Sequence, residues 1–428
     1  MKEVRLAYGR RGIVARVPDE AVVVTATELP GLPDEANAVL EALRAPVEGP
    51  PLSELIAGGA RRARVAVVFP DLTRPMPNRT VLPPLLAELE RLGVGPDHVE
   101  LLCATGTHRQ ATPDEMVELV GPDITRRYTV HQHRADDPEH VEHVEVGRVD
   151  GTPVRLDRRY VEADVRILTG FVEPHFFAGF SGGPKGACPG LAALETILEA
   201  HSPTRISHPG ATWLVTEGNP VHDFVRAAVA LAPPTLSLDV AINQRRQLTA
   251  VFAGPLPAGH AAACRFVEET SVQQVGRAFD VVLSTNGGYP LDRNLYQAVK
   301  GMAAAERVVR SGGTIVMAAE CADGTPGGSA FARVLASAQD PGMLDAADGR
   351  SETDRWQAQV LGRVLRKAEV WLHSKGLTDD EVRAAFVRPV DDVSDAVAEA
   401  LDATGLGGGA RLGVLPYGPL TVASTAGS

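Results

Sequence analysis

The chain has 428 residues, 44% hydrophobic and 22% charged, the balance of an ordinary globular protein, and it is longer than one hydrophobic core usually serves, so two domains are expected. Its 54 acidic residues against 42 basic ones leave a formal charge of −12, which argues against a nucleic-acid partner, because phosphate binding needs clustered Lys and Arg. The scattered cysteines (Cys103, Cys188, Cys264, Cys321) hold no C-x-x-C pair and argue against a zinc–cysteine site or a disulfide framework. MKEVRLAYGRRG lacks the apolar core of a signal peptide, and no run of about 18 apolar residues exists to span a bilayer. A cytoplasmic protein with no membrane partner is the expectation.

In chain order, VRLAY and IVARV read as a hairpin turned by Gly9-Arg10-Arg11-Gly12, and 34–44 as a helix. RVAVVF (64–69) is a short continuous apolar run, as in a strand buried on both faces. The loop DLTRPMPN follows it, then a helix from Val81 to Leu92 that ends at Gly93. HVELLCA (98–104) repeats the cycle with the loop TGTHRQA and a helix opened by Thr112-Pro113-Asp114-Glu115, a capping box with Pro in the first turn. VRILTGFV (165–172) is a third such strand and runs into FVEPHFFAGFSGGPKGACPG (171–190). A second hairpin is expected over 236–254 and a helix over 258–275.

A further α/β unit then begins with FDVVLST (279–285), the loop NGGYPLDRN and a helix through Gln297 and Lys300. A turn at SGG (311–313), the strands TIVMAAE, EVWLH and RLGVLPY, and a frayed end at TVASTAGS complete the reading. The alternation predicts two α/β domains, 1–270 and 271–428, each with a largely parallel sheet flanked by helices and with the active site in the cleft between them. Ligands of such sheets sit beyond the carboxyl ends of the strands, so the loops DLTRP, GTHR and EPHFF are expected to be neighbours.

Lys185 lies in a glycine-rich run, but the run is not a phosphate loop: Pro184 removes an amide donor, and Gly186 stands where a magnesium-binding hydroxyl is required. His108 follows a buried strand, where loops carry function, although a surface histidine is the plain alternative. His175 sits beside Glu173 and two aromatics, either as a site residue or as a ring packed in an aromatic cluster. His201 ends a helical run, where the helix dipole alone favours a histidine. Arg74, among Pro70, Pro75 and Pro77, either grips an anion bidentately or is a solvated turn arginine near Asp71. Gln297 and Lys300 share a helical face at i, i+3, which suits a common ligand as well as an ordinary exposed face.

Jointly, DLTRP, GTHR, EPHFFAGFSGGPKG, His201 and YQAVKG resemble, in order and spacing, the nickel-pincer lactate racemase family over essentially the whole chain. That resemblance implies a nickel ion held by a pyridinium-3-thioamide-5-thiocarboxylic acid mononucleotide covalently attached at Lys185, with His201 as the remaining nickel ligand. It implies His108 and His175 as the catalytic acid–bases. Asp71, Leu72, Thr73, Arg74, Gln297 and Lys300 would contact cofactor or substrate, with Tyr296 and Trp356 as nearby aromatics. The implied activity is inversion of C2 in a lactate-like 2-hydroxy acid by hydride abstraction and return. The same chemistry on a malate-like, aromatic or sugar acid, or a non-catalytic binding protein of this fold, are the alternatives. The implied partners are the small acid and the cofactor-making enzymes, and a homo-oligomer is compatible with the pattern. The glycines around Lys185 would let a bulky ring lie close to the backbone.

Overall fold

The computed structural model describes all residues except 57–62, 138, 140, 346–351 and 426–428. Contacts divide the chain into two compact units, residues 28–201 with 208–268, and residues 1–27 with 202–207 and 269–428.

The first unit is built on a six-stranded sheet in the order Leu248–Gly254, Leu236–Ile242, Val165–Phe171, Val65–Pro70, Val99–Ala104, Thr129–Gln132. All neighbours run parallel except the first pair, the expected hairpin, which is antiparallel. The period-two alternation of a strand explains why its runs are apolar throughout. Val67, Phe69, Leu101, Cys103 and Ile167 enter one core with the helices Glu35–Arg44 and Asn78–Arg91. Ala66, Val68, Leu102 and Leu168 enter the opposite core with Tyr160, Ile197 and Phe224. The capping box forms as read: Thr112 accepts from the Glu115 amide, and the Glu115 carboxylate accepts from the Thr112 amide. Chain order reverses between Val65–Pro70 and Val165–Phe171, so the crevice beyond their carboxyl ends is the switch point where such sheets bind ligands.

The second unit carries a six-stranded, wholly parallel sheet in the order Arg388–Pro389, Ala368–His373, Val309–Ala318, Phe279–Thr285, Leu412–Leu415, Val22–Val23. The N-terminal hairpin, Lys2–Leu6 with Ile13–Val17, belongs here and not to the first domain, correcting the boundary read from sequence. The cause is packing: Leu6, Ala15 and Val17 share a core with Val281, Leu283 and Val414, and Val22–Val23 extends the sheet. Three smaller readings also change. SGG is a bulge inside Val309–Ala318, not a turn before it, with the register shifting between Phe279 and Val281. The helix from Ala258 stops at Ser271, and Val272–Gln274 pairs in parallel with Val422–Ser424. The stretch read as frayed is therefore a strand up to Ser424, while 426–428 lie outside the described residues.

Candidate active site

The loop that follows Val65–Pro70 turns back on Asp71. The Thr73 hydroxyl donates to Asp71 Oδ1 at 2.7 Å, and His108 Nδ1 lies 2.9 Å from Asp71 Oδ2. Burial by itself would push the Asp71 carboxyl up. The hydrogen bonds from His108 and Thr73, with the positive charge of Arg74, outweigh burial and hold it below its ordinary value. An ionised carboxylate only accepts, so His108 Nδ1 carries a proton, and in the neutral form of the ring the lone pair is on Nε2. Leu72 turns inward and packs against the core below the loop. Arg74 makes a single contact to an internal carboxylate, its Nη1 donating to Glu173 Oε1 at 3.1 Å.

The Gly106 amide donates to the Gly190 carbonyl at 3.0 Å, which ties the GTHR loop to the end of the Lys185 run. With Asp71–His108 and Arg74–Glu173, this link brings together the three loops expected to be neighbours. Pro174–His175 pairs antiparallel with Gly179–Phe180 in a tight hairpin, and the His175 ring stacks on Phe176 and meets Phe177 edge-on at 4.6 Å between centroids. His175 Nδ1 accepts from the Ala178 amide at 3.3 Å, which places the proton of the neutral ring on Nε2. The ring is thus packed among aromatics and oriented by the backbone.

Phe177 is the hub of the site. Its ring lies 5.5 Å from the His201 ring and 5.7 Å from Lys185 Nζ, as well as against His175. Lys185 sits half-buried in the short turn Gly183–Gly186. His201 caps the helix Leu194–Ala200, and its Nδ1 donates to the Ile197 carbonyl at 2.9 Å. Burial and the Lys185 charge push its pKa down to about 4 against that hydrogen bond, so at neutral pH the ring is uncharged with its lone pair on Nε2. The helix dipole favours a protonated histidine at a C-terminus, and this one is neutral. A neutral imidazole oriented through its other nitrogen is the usual state of a metal-ligating histidine. Among the described residues no group of three or more His, Cys, Asp or Glu side chains could hold a metal.

Several residues that frame this segment were not read from the sequence. Asn219 donates to the Phe177 carbonyl at 2.9 Å, His222 to that of Ala178 at 3.2 Å, and His260 to that of Ser181 at 2.9 Å. Asp239 accepts from the Gly183 amide at 2.8 Å. Two of the glycines serve this frame: a Cβ on Gly182 would lie 2.7 Å from Asp239 Oδ1, and one on Gly183 would overlap the His260 ring. Two of the four were open to detection. Asn219 precedes Pro220 in a helix-start pattern, and Asp239 is a charge inside the apolar strand LSLDVAI. Neither histidine has a local pattern of its own.

In the second unit, Tyr296, Gln297 and Lys300 lie on the helix Leu295–Glu306, whose start follows the strand Phe279–Thr285 at the reversal point of that sheet. Asn294 caps the helix through the Gln297 amide. Trp356 Nε1 donates to the Tyr296 hydroxyl at 2.9 Å, so these two aromatics act as one group, while Gln297 and Lys300 are half-buried. None of the four cysteines forms a disulfide, and among the described residues no helix is long and apolar enough to cross a membrane.

The strand-end loops of this α/β fold thus gather His175, Lys185 and His201 around Phe177, with His108 held on Asp71 in an adjoining loop, an arrangement of the kind enzymes build. Residues 8–213 match the lactate racemase N-terminal domain and residues 275–422 the lactate racemase C-terminal domain. The chain is 34% identical over 430 residues to the lactate racemase of Thermoanaerobacterium thermosaccharolyticum, covering 98% of each. It is also 34% identical to that of Lactiplantibacillus plantarum, covering 98% of this chain and 99% of the relative. The lactate racemase apoprotein structure from T. thermosaccharolyticum superposes with a TM-score of 0.90 at 32% identity, covering 99% of this chain and all of that one. A Thermotoga maritima protein shares the fold, with a TM-score of 0.67 at 20% identity over 88% of this chain and 96% of its own. The chain belongs to the lactate racemase family, a family of isomerases.

Proposed function

We propose that this chain interconverts the enantiomers of lactate, or of a closely similar 2-hydroxy acid, using a nickel-pincer mononucleotide tethered to Lys185 with His201 as the nickel ligand. The observation that carries this reading is the convergence of His175, Lys185 and His201 on the Phe177 ring, although they lie 10 and 16 residues apart along the chain. When bound, the cofactor would accept the C2 hydride and return it to either face, chemistry that side chains do not supply.

The chain's own residues then have these roles. His108 takes the hydroxyl proton at Nε2, and ionised Asp71 stabilises the imidazolium that results, as an orienting carboxylate does in other acid–base pairs. The substrate becomes a 2-keto acid that can present its other face. His175 serves the opposite enantiomer from Nε2, a role that requires its ring to release the Ala178 amide when it acts as a base. Arg74 offers a guanidinium that holds a carboxylate, at present that of Glu173. Phe176 and Phe177 keep water from the reacting carbon. Asp71, Leu72 and Thr73 form the cofactor-side loop, and Tyr296, Gln297, Lys300 and Trp356 supply further cofactor or substrate contacts.

The test is co-expression of the full chain with the cofactor-making enzymes, followed by intact mass and optical rotation. An adduct on Lys185, bound nickel and a decay of L-lactate rotation to zero are expected. Adduct-bearing protein that leaves lactate unchanged, together with a panel of malate-like, aromatic and sugar 2-hydroxy acids, would overturn the assignment.

A further inference from the structure

We propose that Asp239 is the positioning residue that aims Lys185, an inference that rests on Lys185 being the tether. Asp239 is wholly buried in the strand Leu236–Ile242, where all but the last residue is buried. A carboxylate at such a place is expensive unless it has a task. Its Oδ1 accepts from the Gly183 amide at 2.8 Å, two residues before Lys185, and its Oδ2 accepts from the Ser237 hydroxyl at 2.7 Å. The Ser237 contact fixes the plane of the carboxylate, and the Gly183 contact transfers that orientation to the turn Gly183–Gly186.

The surroundings are shaped for this approach. Asp239 stands in register with Gly170 on the adjacent strand, where any side chain would overlap Oδ1. Gly182 and Gly183 adopt φ of +76° and +50°, a backbone that few residues other than glycine hold, and a Cβ on Gly182 would approach Oδ1 to 2.7 Å. A cavity of about 590 Å³ borders the turn, lined by Phe180, Pro184, His222 and His260 among others. The His260 hydrogen bond to Ser181 holds one end of the segment from that side, and Asp239 holds the next. A tether that must meet both Lys185 and His201 tolerates little displacement, since misplacement by about 1 Å costs on the order of 100-fold in reactions that depend on orientation.

The experiment compares wild type, Asp239→Asn, Asp239→Ala and Ser237→Ala, each co-expressed as the full chain with the cofactor-making enzymes. The fraction of chains bearing the Lys185 adduct is read by intact mass, with the thermal midpoint measured alongside. Asp239→Ala is expected to carry at least tenfold less adduct. Asp239→Asn, which keeps an acceptor for Gly183 and a partner for Ser237, should restore more than half of the wild-type fraction. A general structural role would lower adduct and midpoint together, and rescue by Asn in chains of equal midpoint separates the two. Should Asp239→Ala not fold, Ser237→Ala decides: a threefold or larger loss supports the inference, and wild-type tethering overturns it. Wild-type tethering in folded Asp239→Ala overturns it equally. An adduct absent from wild type would instead sink the Lys185 reading itself.

Discussion

Asp71→Asn is expected to be more damaging than Asp71→Ala, and the reason lies in one proton. In the native site Asp71 Oδ2 accepts from His108 Nδ1 at 2.9 Å, while Oδ1 is occupied by the Thr73 hydroxyl at 2.7 Å. Alanine removes a charge-assisted hydrogen bond, a contact that contributes about 1.5–3 kcal/mol. The His108 side chain is 43% exposed, so solvent takes over part of that, and the low end of the range applies. A loss of about 1.5–2 kcal/mol corresponds to a kcat roughly 10- to 30-fold lower. Asparagine does something different. With its oxygen held by Thr73, its NH2 group faces His108 and donates to Nδ1, which moves the ring proton to Nε2, where the lone pair is needed. General-base catalysis is then lost, typically 10²- to 10⁴-fold.

The assay is the initial rate of lactate racemisation by chiral chromatography, expressed per adduct-bearing chain so that cofactor loss does not enter. KM should stay within about threefold, since the contact acts on the proton and not on the carboxylate. An Asn variant as active as the Ala variant, or an Ala variant within twofold of wild type, would falsify the assigned role of the Asp71–His108 pair.

Lys185→Ala should show the bare-chain mass and no racemisation, whereas His201→Ala should lose nickel; nickel retained in His201→Ala would remove that residue from the ligand set. Burial lowers the pKa of His201 to about 4 and that of His222 to about 3, from an ordinary value near 6.5. Below pH 6.5 the unfolded chain binds protons that the native rings refuse, so the stability they contribute is full above that pH and is lost as pH falls towards 4 and 3. At pH 5 the loss is on the order of 2 kcal/mol per ring, and His222→Gln should flatten the dependence of the urea midpoint on pH; an unchanged slope would count against the burial argument. Gly183→Ala should destabilise by at least about 1–2 kcal/mol from its left-handed backbone, and urea unfolding at the wild-type midpoint would contradict the overlap with His260.

The strands were legible because both faces of each sheet are covered. A strand buried on two sides is apolar at every position, so Val65–Pro70 and Val165–Phe171 stand out against any loop. That the three strand-end loops are neighbours followed from topology, whereas the roles of Asp71, His108 and His175 came only from the resemblance. The N-terminal hairpin was legible as a hairpin but not in its allegiance, because Leu6 and Val17 carry no mark of which sheet they will cover. The same limit hid His222 and His260. Each gives one hydrogen bond to a carbonyl some 40 to 80 residues away, and nothing near them in sequence varies with that distant partner.

Asp239 shows how part of the unread frame can be recovered. A carboxylate in the middle of an apolar strand violates the local pattern, and proteins retain such violations where function or strain requires them. The conflict is resolved 56 residues earlier in the chain, at an amide that only a glycine-rich turn can bring so close. The run Gly182-Gly183-Pro184-Lys185 and the strand LSLDVAI are therefore two halves of one device, each anomalous alone. A glycine-rich turn calls for a close neighbour and a buried charge calls for a donor, so pairing such anomalies across a chain is a physical route from sequence to site. It reaches residues that motif spacing does not.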